Sequence, residues 1–233
     1  MSTNHTKLNP AANSGAEDQS VAISVFGELA RMIEDGELAP GRRLVVRPLA
    51  ERLKVSPTPV KNALARLETT GLVVNVVNSG YSVPPPDAKT FRECYGLLIE
   101  FDVIAARAIL RDDPTGLLPA LGEQVNGERQ GTANFGLDFH FQLWKASGNS
   151  SLVQTGDQMR RLAMIASGHL MRHPGNAALT AVEHQQILGA LRRHGPAAAE
   201  RLLRAHGQRS MDDTLELMAS MNPNMGHSSP RPG

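Results

Sequence analysis

VSPTPVKNALARLETTGLV, residues 55–73, sets two prolines, Pro57 and Pro59, at the mouth of a regular apolar pattern. Inside a helix proline removes a hydrogen bond and clashes with the preceding turn, but in the first turn the N–H groups have no intrahelical partner to lose. The stretch therefore predicts a helix that begins here. Ser56 is its N-cap, with a hydroxyl able to accept from a first-turn N–H, and Pro57 takes the first helical position. Val60, Ala63, Leu64 and Leu67 fall on one face at helical spacing, and Gly71 stands just past the end as the C′ glycine. At about 100° per residue, Thr58, Lys61, Asn62 and Ala65 project from the opposite side. That outward face is small, polar and cationic, and suits a helix end that must approach something bulky and negative.

The neighbouring segments extend the pattern in both directions. Phe26, Leu29, Ala30 and Ile33 predict a helix over about Ser20–Asp35, with Gly36 at its end. Pro40-Gly41 marks a turn, and a short helix follows over about Arg47–Leu53. LVVNVV, the turn Asn78-Ser79-Gly80 and YSV read as a hairpin. Three helices and a hairpin, with a tight helix–turn–helix in the middle, make a winged helix-turn-helix. Pro84, Pro85 and Pro86 then form a stiff connector. Beyond it the chain reads as helices over about 88–111, 132–147, 150–172, 175–194 and 196–220, while the Gly-rich segment 112–136 carries no clear pattern. The expected fold is mainly α: a winged helix-turn-helix followed by an all-helical bundle. The expected divisions are a disordered arm (1–18), the winged helix (19–83), a Pro-rich linker (84–90), the helical domain (91–221) and a disordered tail (222–233).

Composition limits the function. The chain has 233 residues with 41% hydrophobic and 20% charged, ordinary for a protein with a core. Its net charge of +1 means that any nucleic-acid surface is local. Aromatics at 4% argue against binding single strands by base stacking. The single cysteine, Cys94, excludes an internal disulfide framework and fits a reducing cytoplasm. No apolar run reaches the length of a membrane span, and the N-terminal residues have no signal-peptide core.

GELAPGRRLVVRPLAERLKVSPTPVKNALARLETTGLVVNVVNSGYSV, residues 36–83, resembles the DNA-binding domain of GntR-family transcription regulators. The resemblance rests on Pro40, Gly41, Leu44, Leu49, Ala50, Val55, Ser56, Thr58, Pro59, Val60, Leu64, Leu67, Gly71, Leu72 and Gly80, in order. It implies a homodimer on a palindromic operator in double-stranded DNA, with contacts from Arg47, Ser56, Thr58, Lys61, Asn62, Arg66 and Gly80. The family usually carries arginine where Pro57 and Lys61 stand here. Lysine does not make the bidentate guanine contact of arginine, so base readout shifts toward Arg47 and the wing.

FHFQLWKASGNSSL (139–152) and EHQQILGALRRHGPAAAERLLRAHGQ (183–208) are similar to the FCD ligand-binding domain of the FadR subfamily, in its shorter VanR-like branch. The resemblance implies a divalent metal on His140, His184 and His206, with zinc expected and nickel or manganese as alternatives. It also implies an organic-acid effector. Two departures stand against a simple transfer: Gly136 replaces the usual aspartate ligand, and Gly96 replaces a pocket arginine. Trp144 is read as core anchor or pocket wall, and Arg160 and Arg161 as replacement anion partners. His169 and His173 read as near-surface residues at a helix end. The leading function is a metabolite-responsive repressor, not an enzyme. The alternatives are a constitutive DNA-binding dimer with a degenerate effector domain and a metal-dependent hydrolase.

Overall fold

The structure is a computed structural model that describes residues 11–76, 79–111, 118–130, 137–170, 177–193 and 195–221. It divides into two compact units, residues 1–84 and 85–233.

The first unit contains α1 (Ala11–Glu34), β1 (Arg43–Leu44), α2 (Val46–Leu53), α3 (Pro57–Thr69), β2 (Val74–Val76) and β3 (Gly80–Ser82). Residues 11–18, expected as an unstructured arm, belong to α1. Only Gly15 interrupts a stretch free of proline after Pro10, and paired Ala11 and Ala12 favour the helix at its start. Residues 1–10 and 222–233 lie outside the described residues.

α3 buries Pro59, Val60, Ala63, Leu64 and Leu67, chiefly against α1. It closes with a Schellman motif: Gly71, at φ 76°, donates to Glu68 O (3.0 Å), and Leu72 donates to Leu67 O (3.2 Å). The sheet is antiparallel, in the order β1-β3-β2. Leu44 pairs with Tyr81, and Asn75 pairs with the same residue from the other side. β1 was not expected. Two residues are too few to show alternation, and the strand forms because Gly41 donates to Val83 O (2.9 Å) and Val83 to Arg42 O (3.0 Å).

The second unit holds α4 (Ala88–Arg111), α5 (Leu118–Gln130), α6 (Leu137–Ala146), α7 (Ser150–Ala166), α8 (Ala177–Arg192) and α9 (Pro196–Met221). α4 begins inside the expected linker, because the Asp87 carboxylate accepts from Thr90 N (2.9 Å) and starts the helix. α5 falls in the Gly-rich segment that carried no clear pattern. Leu118, Leu121 and Val125 nevertheless give it a buried stripe. α4 is the hub, packed on α6, α7 and α9, and α8 packs on α5 and α9. Two close approaches need glycine. A Cβ on Gly207 would stand 2.6 Å from Ile99 Cγ1, and one on Gly156 would stand 2.8 Å from Trp144 Cε3.

A candidate metal centre and a candidate nucleic-acid interface

Three helices aim one imidazole each at a common point. α6 supplies His140, α8 His184 and α9 His206, and one ring nitrogen from each lies within 4.8 Å of the others. His184 Nε2 is 3.3 Å from His206 Nε2, which is 3.2 Å from His140 Nε2. His184 and His206 are buried, and His140 nearly so.

A carboxylate stands behind each ring. His140 Nδ1 is 2.8 Å from Asp102 Oδ2, His184 Nδ1 is 2.7 Å from Glu128 Oε2, and His206 Nδ1 is 2.7 Å from Glu183 Oε2. An acid that accepts from Nδ1, as at His184 and His206, keeps the proton on that nitrogen and turns the lone pair of Nε2 inward; at His140 the nearby charge of Asp102 favours the same state, although Nδ1 makes no aligned hydrogen bond. Three such lone pairs at these separations repel one another unless a positive charge lies among them. Neighbouring nitrogens bound at about 2.0–2.1 Å to one tetrahedral zinc ion stand about 3.3 Å apart, a spacing that the His184–His206 and His206–His140 pairs match.

The surroundings work the same way. Burial holds the His184 imidazole well below its usual pKa, helped by the neighbouring His140 and His206. Burial also lowers His206, against the pull of Glu183. Burial opposes a charge on His140 too, but Asp102 outweighs it and raises the pKa. Burial likewise opposes the charge of Glu183, yet His206 and Arg209 hold its pKa at about 2. Arg209 donates to Glu183 through Nε (2.8 Å) and is shared with Asp213. Phe139 fixes the plane of His184, with ring centroids 3.9 Å apart and planes 11° from parallel.

Asp102, Glu128 and Glu183 were not singled out in the sequence. A signal existed for two of them: Asp102 and Glu128 occupy core positions on the buried stripes of α4 and α5. Gly136 and His173 lie outside the described residues. His169, read as near-surface at a helix end, is partly exposed where the chain leaves α7 at φ 69°, with its two ring nitrogens buried.

A partly open pocket adjoins His140. Leu98, Ile99 and Trp144 form apolar walls, and Tyr95, Asp102 and Arg160 add polar groups. Trp144 is both anchor and wall: it is buried, and its Nε1 donates to Asp102 Oδ1 (2.7 Å). Arg160 donates to Asp157 Oδ1 (2.9 Å) at the cavity edge. Arg161 does not line the cavity, because its guanidinium also turns to Asp157 (2.9 Å). Gly96 is half-buried, and a Cβ there would meet nothing within 4 Å.

In the first unit Arg47, Ser56, Thr58, Lys61, Asn62, Arg66 and Gly80 are all exposed. Ser56 has the extended N-cap backbone (φ −71°, ψ 162°), but its side chain makes no cap bond. Pro59 explains this, since the third helical position, the usual donor to a cap hydroxyl, has no N–H. Of the four orphan donors at a helix start, α3 keeps only Ser56 N–H and Thr58 N–H. Arg66 is drawn back over the Phe26 ring of α1, 4.4 Å from its centroid. Arg47 and Lys61 make no ion pair among the described residues, whereas Arg31 and Arg52 are both held by Glu37. Gly80 sits at φ 76°, where its lack of a side chain permits the turn into β3.

Two family patterns match, one in each unit. "Bacterial regulatory proteins, gntR family" matches residues 22–83, and "FCD domain" matches residues 102–209. The chain is a GntR-type transcription regulator with an FCD domain. The HTH-type transcriptional regulator YdhC of Bacillus subtilis (strain 168) is 23% identical over 195 residues, 79% of this chain and 86% of that protein. The Nta operon transcriptional regulator of Aminobacter aminovorans is 32% identical over 132 residues, 50% of this chain and 59% of its own length. Among solved structures, Escherichia coli McbR/YncC superposes with a TM-score of 0.71 at 20% identity, covering 84% of this chain and 98% of that one. In this GntR-type regulator the winged helix is the DNA-binding domain and the helical unit the effector-binding domain. None of its described helices is long and apolar enough to cross a membrane.

Proposed function

We propose that the regulator is a repressor whose helical unit binds a divalent metal through Nε2 of His140, His184 and His206. A small organic acid then enters the adjoining cavity and weakens binding to a palindromic operator. The observation that carries this reading is the set of three imidazole–carboxylate pairs, which leaves three lone pairs turned on one point. A bound ion would offer an open position to a carboxylate on its cavity side, while Arg160 supplies a second contact for an anion. Zinc is the expected occupant, with nickel and manganese as the alternatives, because imidazole ligands do not decide among them. Two copies, one on each half-site, supply the buried surface that specific binding requires.

The test combines metal analysis of the purified protein with operator binding. The expected result is close to one metal per chain, a fall in melting temperature on chelation, and loss of operator affinity when an organic acid that stabilises the holoprotein is added. A chain that holds no metal at micromolar zinc, or whose stabilising acids leave operator affinity unchanged, removes the reading.

A further inference from the structure

His206, Arg209 and Asp213 follow one another along α9 at steps of three and four residues, so they share one face of the helix. Glu183 of α8, which packs on α9, meets that face. Its Oε2 accepts from His206 Nδ1 (2.7 Å) and from Arg209 Nη2 (2.5 Å), and its Oε1 accepts from Arg209 Nε (2.8 Å). Arg209 Nη1 donates to Asp213 Oδ2 (2.6 Å). Every nitrogen of the guanidinium is thereby engaged, and two parallel bonds fix its plane against Glu183.

The other two carboxylates behind the histidines are held differently. Glu128 is fully buried and accepts from the Gln124 amide (3.3 Å), and Asp102 is nearly buried and accepts from the Trp144 indole (2.7 Å). Glu183 and Arg209 keep 20% and 22% of their side chains exposed. A carboxylate at the edge of the protein can exchange a protein partner for water at little net cost. If Glu183 turned outward, His206 would lose the acceptor that holds its Nδ1 proton and aims its Nε2. One of the three imidazoles therefore depends on an edge carboxylate, and that carboxylate depends on Arg209. We propose that Arg209 is a positioning residue of the metal centre: its guanidinium fork clamps Glu183 and, through Glu183, aims Nε2 of His206 at the ion. The proposal rests on the reading that the three histidines bind a metal. Lysine would supply the charge without the fork, so the geometry of arginine is what the position requires.

Zinc and cobalt(II) binding to the full chain provide the test, read by competition with a chromophoric chelator and by the visible absorption of the cobalt form. Arg209→Met should lower zinc affinity by roughly 10–100-fold, the range for loss of a supporting partner, and should weaken or shift the cobalt bands as His206 loosens. Arg209→Lys should recover little of that loss. Glu183→Gln should cost a similar factor by itself. Adding Arg209→Met to Glu183→Gln should cost little more, because both act through one bond to His206, whereas independent structural contributions multiply. An original chain that binds neither zinc nor cobalt overturns the metal reading and this inference together. An original chain that binds them overturns the inference alone in three cases: if Arg209→Met binds as tightly with the same spectrum, if Arg209→Lys binds as tightly as the original, or if the double variant loses the product of the two single losses. Should Arg209→Met fail to fold, the milder Arg209→Lys decides, and its full affinity would overturn the clamp.

Discussion

α3 and α7 begin in opposite ways. Asn149 closes the start of α7, its Oδ1 accepting from Leu152 N at 3.0 Å. Ser56 holds the same position on α3 and closes nothing. The contrast extends to the functional groups of the two units. Around the histidines a partner answers each ring: Asp102, Glu128 and Glu183 on the imidazoles, Arg209 on Glu183, and Trp144 on Asp102. On the outward side of α2 and α3, Arg47 and Lys61 stand in solvent without an ion pair among the described residues. Buried polar groups must be satisfied inside the protein. An exposed contact surface keeps its groups open for the partner to satisfy. The comparison therefore predicts large, coupled effects in the helical unit and small, separable ones in the winged helix.

The largest effect belongs to the histidine centre. His206→Ala should lower zinc affinity by more than the roughly 10–100-fold that loss of a supporting carboxylate costs. Glu128→Gln should fall within that range, because glutamine fills the space but no longer holds the Nδ1 proton of His184 by charge. Competition with a chromophoric chelator measures both. Equal affinity for Glu128→Gln and the original chain would mean that the carboxylates do not set the tautomers. Close behind comes Gly156→Ala. The new methyl would meet the face of a tryptophan that is buried and tied by its indole N–H to Asp102. Overpacking of this kind costs about 1–3 kcal/mol in a denaturant titration. A shift of Trp144 would also disturb Asp102, so zinc affinity should drop together with stability. A stability loss with zinc affinity intact would break the coupling claimed for this unit.

The start of α3 was readable because its signals are local: two prolines, a cap residue and an apolar stripe within one helix. The carboxylates behind the histidines were not. An acid on an apolar stripe, as Asp102 lies between Leu98, Ile99 and Ala106, announces a buried partner but not which one. His140 is the partner, and only the packing of α6 on α4 brings the two together. Glu128 was harder still, since α5 itself was hidden by Gly122 and Gly127, which weaken its helical pattern. Ser56 shows the reverse failure. Its identity suggests a cap bond, but the usual donor at position 59 is a proline.

In the winged helix the expected effects are smaller and divide by DNA sequence. Arg47→Ala should cost about 1–3 kcal/mol on the cognate operator and little on random DNA if the guanidinium reads a base edge. Lys61→Ala should weaken both alike and flatten the salt dependence, as loss of a phosphate contact does. Binding titrations at two salt concentrations separate the two behaviours. Equal losses on both DNAs for both variants would erase the division.

The smallest expected effect is on stability at the mouth of α3, and it sharpens the comparison most. Replacing a bonded N-cap by alanine costs about 1 kcal/mol. Asn149→Ala should show that cost, because a bond to Leu152 N is lost. Ser56→Ala removes a hydroxyl that makes no cap bond, so its cost in the free protein should stay within about 0.5 kcal/mol, the usual range for a surface change. DNA binding should rank the two variants the other way. Asn149 belongs to the helical unit, and its loss should leave operator affinity unchanged. Ser56 stands beside the two remaining orphan donors of α3, where its hydroxyl can bond to a phosphate oxygen. Ser56→Ala should therefore weaken operator and random DNA equally while the melting temperature holds. If Ser56→Ala costs as much stability as Asn149→Ala, the hydroxyl caps the helix after all, and the open mouth of α3 is not an adaptation to an external partner.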